Sequence, residues 1–315
     1  MSITDLITKR SQSSLMIGAG AVFAGIAAAG LHGNIEYLPA TLCMLFTLFM
    51  QLAGNYYYQY YDESRNCGRS IDKRINSMGT PVIAPVMLRE FSYGMFLVAM
   101  MVGFALVAMG GWWVLVVGIV VVVLTWFTCG GTMPLLRTQY GVITTFLLFG
   151  PICVITTSLI QSSHEARQMY NWFDLGPAIY MSVVIGFMAI NANLLYGYST
   201  YLTDLRNAKV TFVTTYGRKA TRVVFFINGL IYTAVSVLMC LNLHLDLCGF
   251  DMVPSTLCFI IDLYIWWKMR TTQRYKLVGL INLGTLNVLI MGLLSFIIFE
   301  ITGLPDDSKF TFFPI

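Results

Sequence analysis

Asn55, Gln59 and Asp62 stand at i, i+4 and i+7, and Asn193, Thr200 and Asp204 at i, i+7 and i+11. Each set therefore falls on one face of a helix. Oxygens from amides and carboxylates grouped in this way suit Mg²⁺, which takes few protein ligands and shares the rest of its shell with phosphate. Asn55, Gln59, Asp62 and Asp204 are the candidate metal ligands. Basic residues follow each set closely, with Arg65, Arg69 and Arg74 after the first and Arg206 and Lys209 after the second. Arg meets a phosphate with a bidentate fork and Lys with a point charge, so these five are candidates to bind a diphosphate. A plainer account is that polar residues at helix ends face lipid headgroups. Two such clusters on one side of a membrane bring a site to equal standing with it.

The elements that must position these residues follow from composition. The chain is 57% hydrophobic and 11% charged, with a mean hydropathy of +0.73. A soluble core of 315 residues has no room for so much apolar surface. A membrane-crossing helix needs about 20 apolar residues. About nine segments qualify, near 12–31, 38–60, 91–110, 112–131, 142–161, 176–198, 222–243, 252–268 and 277–299. No sheet-like alternation runs through them, which argues against a β-barrel. The expected fold is all-α, a polytopic membrane bundle, read as one domain over 1–315. The Ala/Gly-rich first segment resembles a signal peptide but is longer than a usual signal core, so it is read as a retained helix whose small residues admit close neighbours.

Charge sets the orientation. With the N-terminus in the cytoplasm, all but Arg167 and Lys309 of the 19 Lys and Arg residues fall inside. The two polar clusters are separated by an even number of crossings and so emerge together on that cytoplasmic side. The net charge of +4 reflects this asymmetry and contact with anionic lipid, and nothing reads as a nucleic-acid-binding module. The seven cysteines are scattered without CxxC spacing and read as small apolar fillers. Asp262 lies well inside the eighth segment, where an acidic residue raises suspicion of a function. Its nearness to Lys268 leaves open that it simply reaches the inner interface.

Segment order, lengths and both polar loops resemble the UbiA superfamily of membrane prenyltransferases, and within it the 1,4-dihydroxy-2-naphthoate polyprenyltransferases of menaquinone synthesis. Asn55 and Asp62 keep the outer spacing of the first family motif, and Asp72, Lys73, Arg74 and Gly79 resemble the stretch that follows it. Asp204, Arg206, Lys209 and Thr211 fit the second motif, with Gly217 and Arg218 after it. Tyr140, Gly141 and the Leu148-Phe149-Gly150-Pro151 stretch resemble the entry to the fifth helix. Gln59 and Thr200 stand where the family carries Asp, and Val142 where the naphthoate enzymes are usually acidic. The acidic set is thereby reduced to Asp62 and Asp204, with Glu63 or Asp72 as possible helpers.

The resemblance implies prenyl transfer from a polyprenyl diphosphate to an aromatic acid, with Mg²⁺ as cofactor, in a bacterial inner membrane. It makes Asp62, Asp204 and Tyr140 the candidate catalytic residues. Tyr57, Tyr58, Tyr61 and Tyr140 are candidates to offer ring faces to a carbocation, though a tyrosine run at this depth also fits an interfacial belt. Two other readings stand beside it: a paralogue that binds isoprenoid or lipid diphosphate without turnover, and a prenyltransferase for a different aromatic acceptor. A transporter is disfavoured, because its polar breaks belong at the midplane.

Overall fold

A computed structural model describes residues 9–31, 35–66, 85–131, 133–161, 175–243, 252–271 and 277–302. Among these residues the chain forms helices and no strands. In chain order they are α1 (Lys9–Gly30), α2 (Tyr37–Asn66), α3 (Pro85–Gly110), α4 (Trp112–Cys129), α5 (Gly141–Gln161), α6 (Gly176–Arg206), α7 (Phe212–Asn242), α8 (Val253–Thr271) and α9 (Leu277–Thr302). All but α1 and α8 are long and apolar enough to cross a membrane, and the apolar part of α1, Ser14–Gly30, is shorter. The protein is an integral membrane protein. The helices match the segments expected from hydropathy in number and order, but α3 and α7 begin earlier, and α2 and α6 run further beyond the apolar stretch, carrying the two polar clusters toward their ends.

Helix α6 is the most buried of the long helices and forms the axis of the bundle. Its inner face (Met181, Ile185, Met188, Ala189, Ala192) packs with residues of α1, α5, α7 and α9 in the largest apolar cluster. Small residues let α1 approach its neighbours at backbone distance. A Cβ on Gly20 would stand 2.5 Å from the Val288 carbonyl of α9, and one on Gly25 would stand 2.7 Å from the Val154 carbonyl of α5. Lipid supplies no hydrophobic drive between helices, so such close packing carries the association. The crossing of α5 with α6 has the same basis: a Cβ on Gly150 would meet the Ser182 carbonyl at 2.5 Å.

Pro151 sits in the middle of α5, where it has no N–H for the helical ladder. The backbone widens there into a π-helical stretch over Leu148–Ile155 before returning to α-helix at Thr156. In α7 the break falls at Gly217, whose φ of 80° and ψ of 167° only glycine adopts readily. The helix restarts at Arg218, so the segment read from sequence as beginning near 222 gains a short helical piece ahead of the break.

Candidate functional site

The extended ends of α2 and α6 bring the two polar clusters together. Asp62, on the penultimate turn of α2, accepts hydrogen bonds at both carboxylate oxygens: Oδ1 from Arg137 at 3.1 Å and Oδ2 from Lys209 at 2.5 Å. Lys209 also lies 3.6 Å from Asp204 Oδ1, while Asp204 Oδ2 accepts from the Thr200 hydroxyl at 2.6 Å. The four ionised side chains are mostly buried.

Local backbone chemistry aims each of them. After α6, Asn207 and Ala208 turn the chain back, and Ala208 is the one non-glycine among the described residues with positive φ, at 49°. That left-handed residue allows the Lys209 N–H to donate to the Asp204 carbonyl at 2.9 Å, placing lysine and carboxylate side by side. Thr211 then caps α7 by accepting from the Thr214 N–H. Arg137 comes from the short 3₁₀ turn Leu135–Arg137 ahead of α5, and its carbonyl accepts from the Val210 N–H at 3.1 Å. The loop before α5 is thereby tied to the loop after α6.

Two tyrosines of α2 complete the cluster. Lys209 Nζ lies 5.5 Å from the Tyr58 ring centre and Arg137 Cζ 5.6 Å from that of Tyr61, both within cation–π range. Burial alone would lower the Lys209 pKa, but the nearby oxygens of Tyr58, Asp62, Asp204 and Tyr196 outweigh it and raise the pKa above the ordinary lysine value. Lys209 is therefore a firmly held ammonium.

Behind the charges lies a cavity of about 410 Å³ between α1, α2, α3, α4, α5 and α6. Its walls are largely apolar, with Phe46, Phe104, Val114, Gly118, Phe149 and Ile152 among them. Asn193 and Tyr196 line it at one end, and they also line a small cavity of about 40 Å³ that reaches Tyr58, Asp204 and Lys209. Asp204 and Lys209 thus line a small cavity that shares Leu136, Asn193 and Tyr196 with the apolar chamber. Along α2 the chamber extends from Asn55 to Cys43, which is about 18 Å of helix.

Other sequence candidates fall as follows. Asn55 lines the chamber and donates to the Ser14 hydroxyl at 2.6 Å. Gln59 is half-buried, and Arg206 is exposed at the end of α6. Tyr140 is 55% exposed at the start of α5. Tyr57 stacks with Trp126 at 4.8 Å in an aromatic group with Tyr60 and Tyr93. Arg69, Asp72, Lys73, Arg74 and Gly79 lie outside the described residues, as do the side chains of Glu63 and Arg65. Sequence reasoning counted Arg137 only toward orientation and missed it as the partner of Asp62; its place on the inner side between the clusters was the available signal.

Asp262 does not reach the inner interface. It is 5% exposed and accepts from Asn191 at 3.0 Å, Tyr232 at 3.2 Å and Asn287 at 2.9 Å. Asn228 in turn donates to Asn191 at 3.0 Å. One polar knot joins α6, α7, α8 and α9.

Mg²⁺ finds no ready cup in this arrangement. Both oxygens of Asp62 and Oδ2 of Asp204 accept hydrogen bonds, Oδ1 of Asp204 pairs with the Lys209 ammonium at 3.6 Å, and among the described residues no three His, Cys, Asp or Glu side chains cluster as a metal set. An ion bound directly to these two carboxylates would compete with Lys209, Arg137 and Thr200 for their oxygens.

No family model matches the chain. Curated sequences do. It is 22% identical over 231 residues to the 1,4-dihydroxy-2-naphthoate octaprenyltransferase of Mycobacterium tuberculosis (strain ATCC 25618 / H37Rv), spanning 73% of this chain and 75% of that protein. With the protein of the same name from Bacillus subtilis (strain 168) it shares 23% identity over 157 residues, about half of each. Two solved structures superpose across nearly the whole bundle. One is an apo UbiA homologue from Aeropyrum pernix K1, with a TM-score of 0.63 at 12% identity, covering 90% of this chain and 98% of that one. The other is digeranylgeranylglyceryl phosphate synthase, with a TM-score of 0.60 at 10% identity, covering 94% and 97%. In fold the chain is similar to a UbiA homologue, and its distant sequence likeness points the same way. That sequence likeness runs to the dihydroxynaphthoate octaprenyltransferases.

Proposed function

We propose that the protein is a membrane prenyltransferase that moves a polyprenyl group from its diphosphate to an aromatic acceptor. The observation that carries this reading is the buried cluster of Asp62, Arg137, Asp204 and Lys209, two of whose members line a small cavity that shares residues with the apolar chamber. A polyprenyl diphosphate has the matching form, an anionic head on a long apolar tail. Among acceptors, the dihydroxynaphthoate relatives favour 1,4-dihydroxy-2-naphthoate, and with it a role in menaquinone synthesis. The basic asymmetry of the loops sets the site and the N-terminus on the cytoplasmic side, and bacterial relatives favour an inner membrane.

The tail enters the chamber and the diphosphate meets Lys209 and Arg137, which exchange part of their bonding to Asp62 for phosphate oxygens. The allylic C–O bond breaks and its electron pair leaves with the diphosphate. Charge growing on that oxygen is met by the same two cations, already oriented by the carboxylates. The apolar walls keep water from the carbocation-like prenyl group. A ring carbon of the acceptor forms the new C–C bond and then loses its substituent, as a proton or, for the naphthoate, as CO₂. Asp62 and Asp204 act here by holding the cations.

The test is purified protein in lipid vesicles with a long-chain polyprenyl diphosphate, Mg²⁺ and 1,4-dihydroxy-2-naphthoate, read by mass spectrometry. Demethylmenaquinone is expected. Product only from a different aromatic acceptor would correct the acceptor and keep the reaction class. Diphosphate bound with no product from any acceptor would convert the protein into a binder.

A further inference from the structure

We propose that Lys209 is the resident cation of the Asp62–Asp204 pair, and that without diphosphate the protein offers no divalent-ion site there. The ammonium lies between the two carboxylates, 2.5 Å from an oxygen of Asp62 and 3.6 Å from one of Asp204. The outer oxygens are held as well, by Arg137 at 3.1 Å and Thr200 at 2.6 Å. Among the described residues, two carboxylates face two cations and their charges balance. Gln59 and Thr200 share these helix faces and add oxygens but no negative charge. A dication would gain little from such a cluster, since binding it means expelling a cation from a largely buried pair or adding uncompensated positive charge.

The backbone holds the ammonium in that position. The turn through Ala208 fixes the Lys209 N–H on the Asp204 carbonyl, and the Tyr58 ring covers the ammonium from α2. Lys209 is thus a positioning residue for the carboxylates as well as a contact for the substrate. Divalent ions then reach the site in company with a diphosphate, whose own charge draws Lys209 and Arg137 away and frees carboxylate oxygens. That second step rests on the prenyl-transfer reading, whereas the first does not.

The experiment measures Mn²⁺ binding to the full chain in lipid nanodiscs by electron paramagnetic resonance, with no diphosphate present. Wild-type protein is expected to leave the Mn²⁺ signal unchanged. Lys209→Met is expected to bind about one Mn²⁺ per chain, because Asp62 and Asp204 are then left facing each other with one cation removed. Adding Asp62→Asn to that variant should abolish the binding. Lys209→Gln serves as the second variant if the methionine form does not purify as a single species, and the wild-type measurement stands without either. Stoichiometric Mn²⁺ on wild-type protein that vanishes in Asp62→Asn would overturn the proposal, and so would folded lysine variants that bind none. Absence of prenyl transfer in the separate turnover assay would sink the functional reading and leave this result untouched.

Discussion

At the scale of single residues, the site depends on Asp62. It touches both cations, so Asp62→Asn leaves Arg137 and Lys209 with half their compensation. Losing one partner of a largely buried pair costs about 3 kcal/mol. A loss of prenyl transfer of about a hundredfold or more is expected, with the variant still eluting as a folded species in detergent. Full activity in Asp62→Asn and Asp204→Asn would remove the site. The raised Lys209 pKa gives a pH dependence with a definite sign. A cation whose folded pKa is raised contributes its full stabilisation below the unfolded value, about 10.4, and loses it only as pH rises through the folded value. The stability difference between wild type and Lys209→Gln should therefore stay flat across the neutral range and shrink only in strong alkali, as followed by thermal unfolding. Asp262 makes a contrasting prediction. Asp262→Leu leaves Asn191, Tyr232 and Asn287 without their shared acceptor and should lower stability by about 3 kcal/mol or more, whereas Asp262→Asn keeps the shape and loses less.

At the scale of elements, hydropathy made the helices legible because each must cover its own backbone bonds in lipid. The same rule made the pairing of the two polar ends readable, since α2 and α6 finish on one side. The breaks were hidden. Pro151 could have kinked α5 or ended it; that it widens the helix depends on how Gly150 seats against α6. Gly217 read as part of a loop motif, yet it separates two helical pieces. Within the site, Asp62, Asp204 and Lys209 stood out by spacing, while Arg137 did not, because its partner lies 75 positions away, on the far side of α3 and α4 in the chain. The partners of Asp262 were equally invisible: three other helices supply them, and no local pattern joins Asn191 to Asn287. Gly217→Ala tests the α7 break. Its Cβ would meet nothing within 4 Å, so the penalty is conformational alone, about 1–3 kcal/mol. Gly150→Leu should be worse, because it drives a side chain into the α6 backbone and opens the chamber wall. Ala208→Gly relieves a left-handed alanine and should raise the unfolding temperature slightly, by about 1 kcal/mol of stability.

At the scale of the whole molecule, the bundle divides its labour. The cluster around α1, α6 and α9 is dense and glycine-stitched, while α3 and α4 are the least buried of the long helices and enclose the chamber loosely. Gly118 lines that chamber, and a side chain added there would meet nothing within 4 Å. Gly118→Phe should therefore fold normally and shorten the longest prenyl chain transferred, read as a shift in product mass. Met100, Phe104, Ile119 and Val123 line the same space and are also among the exposed apolar side chains, so that wall is one side chain thick. A thin wall facing the bilayer changes what concentration means for this protein. On the proposed function its tailed substrate is dissolved in a sheet, and encounters scale with molecules per unit of membrane area. Extra lipid fused into the vesicles should slow turnover as dilution does in a beaker, while doubling the volume of buffer should leave the supply of tailed substrate unchanged.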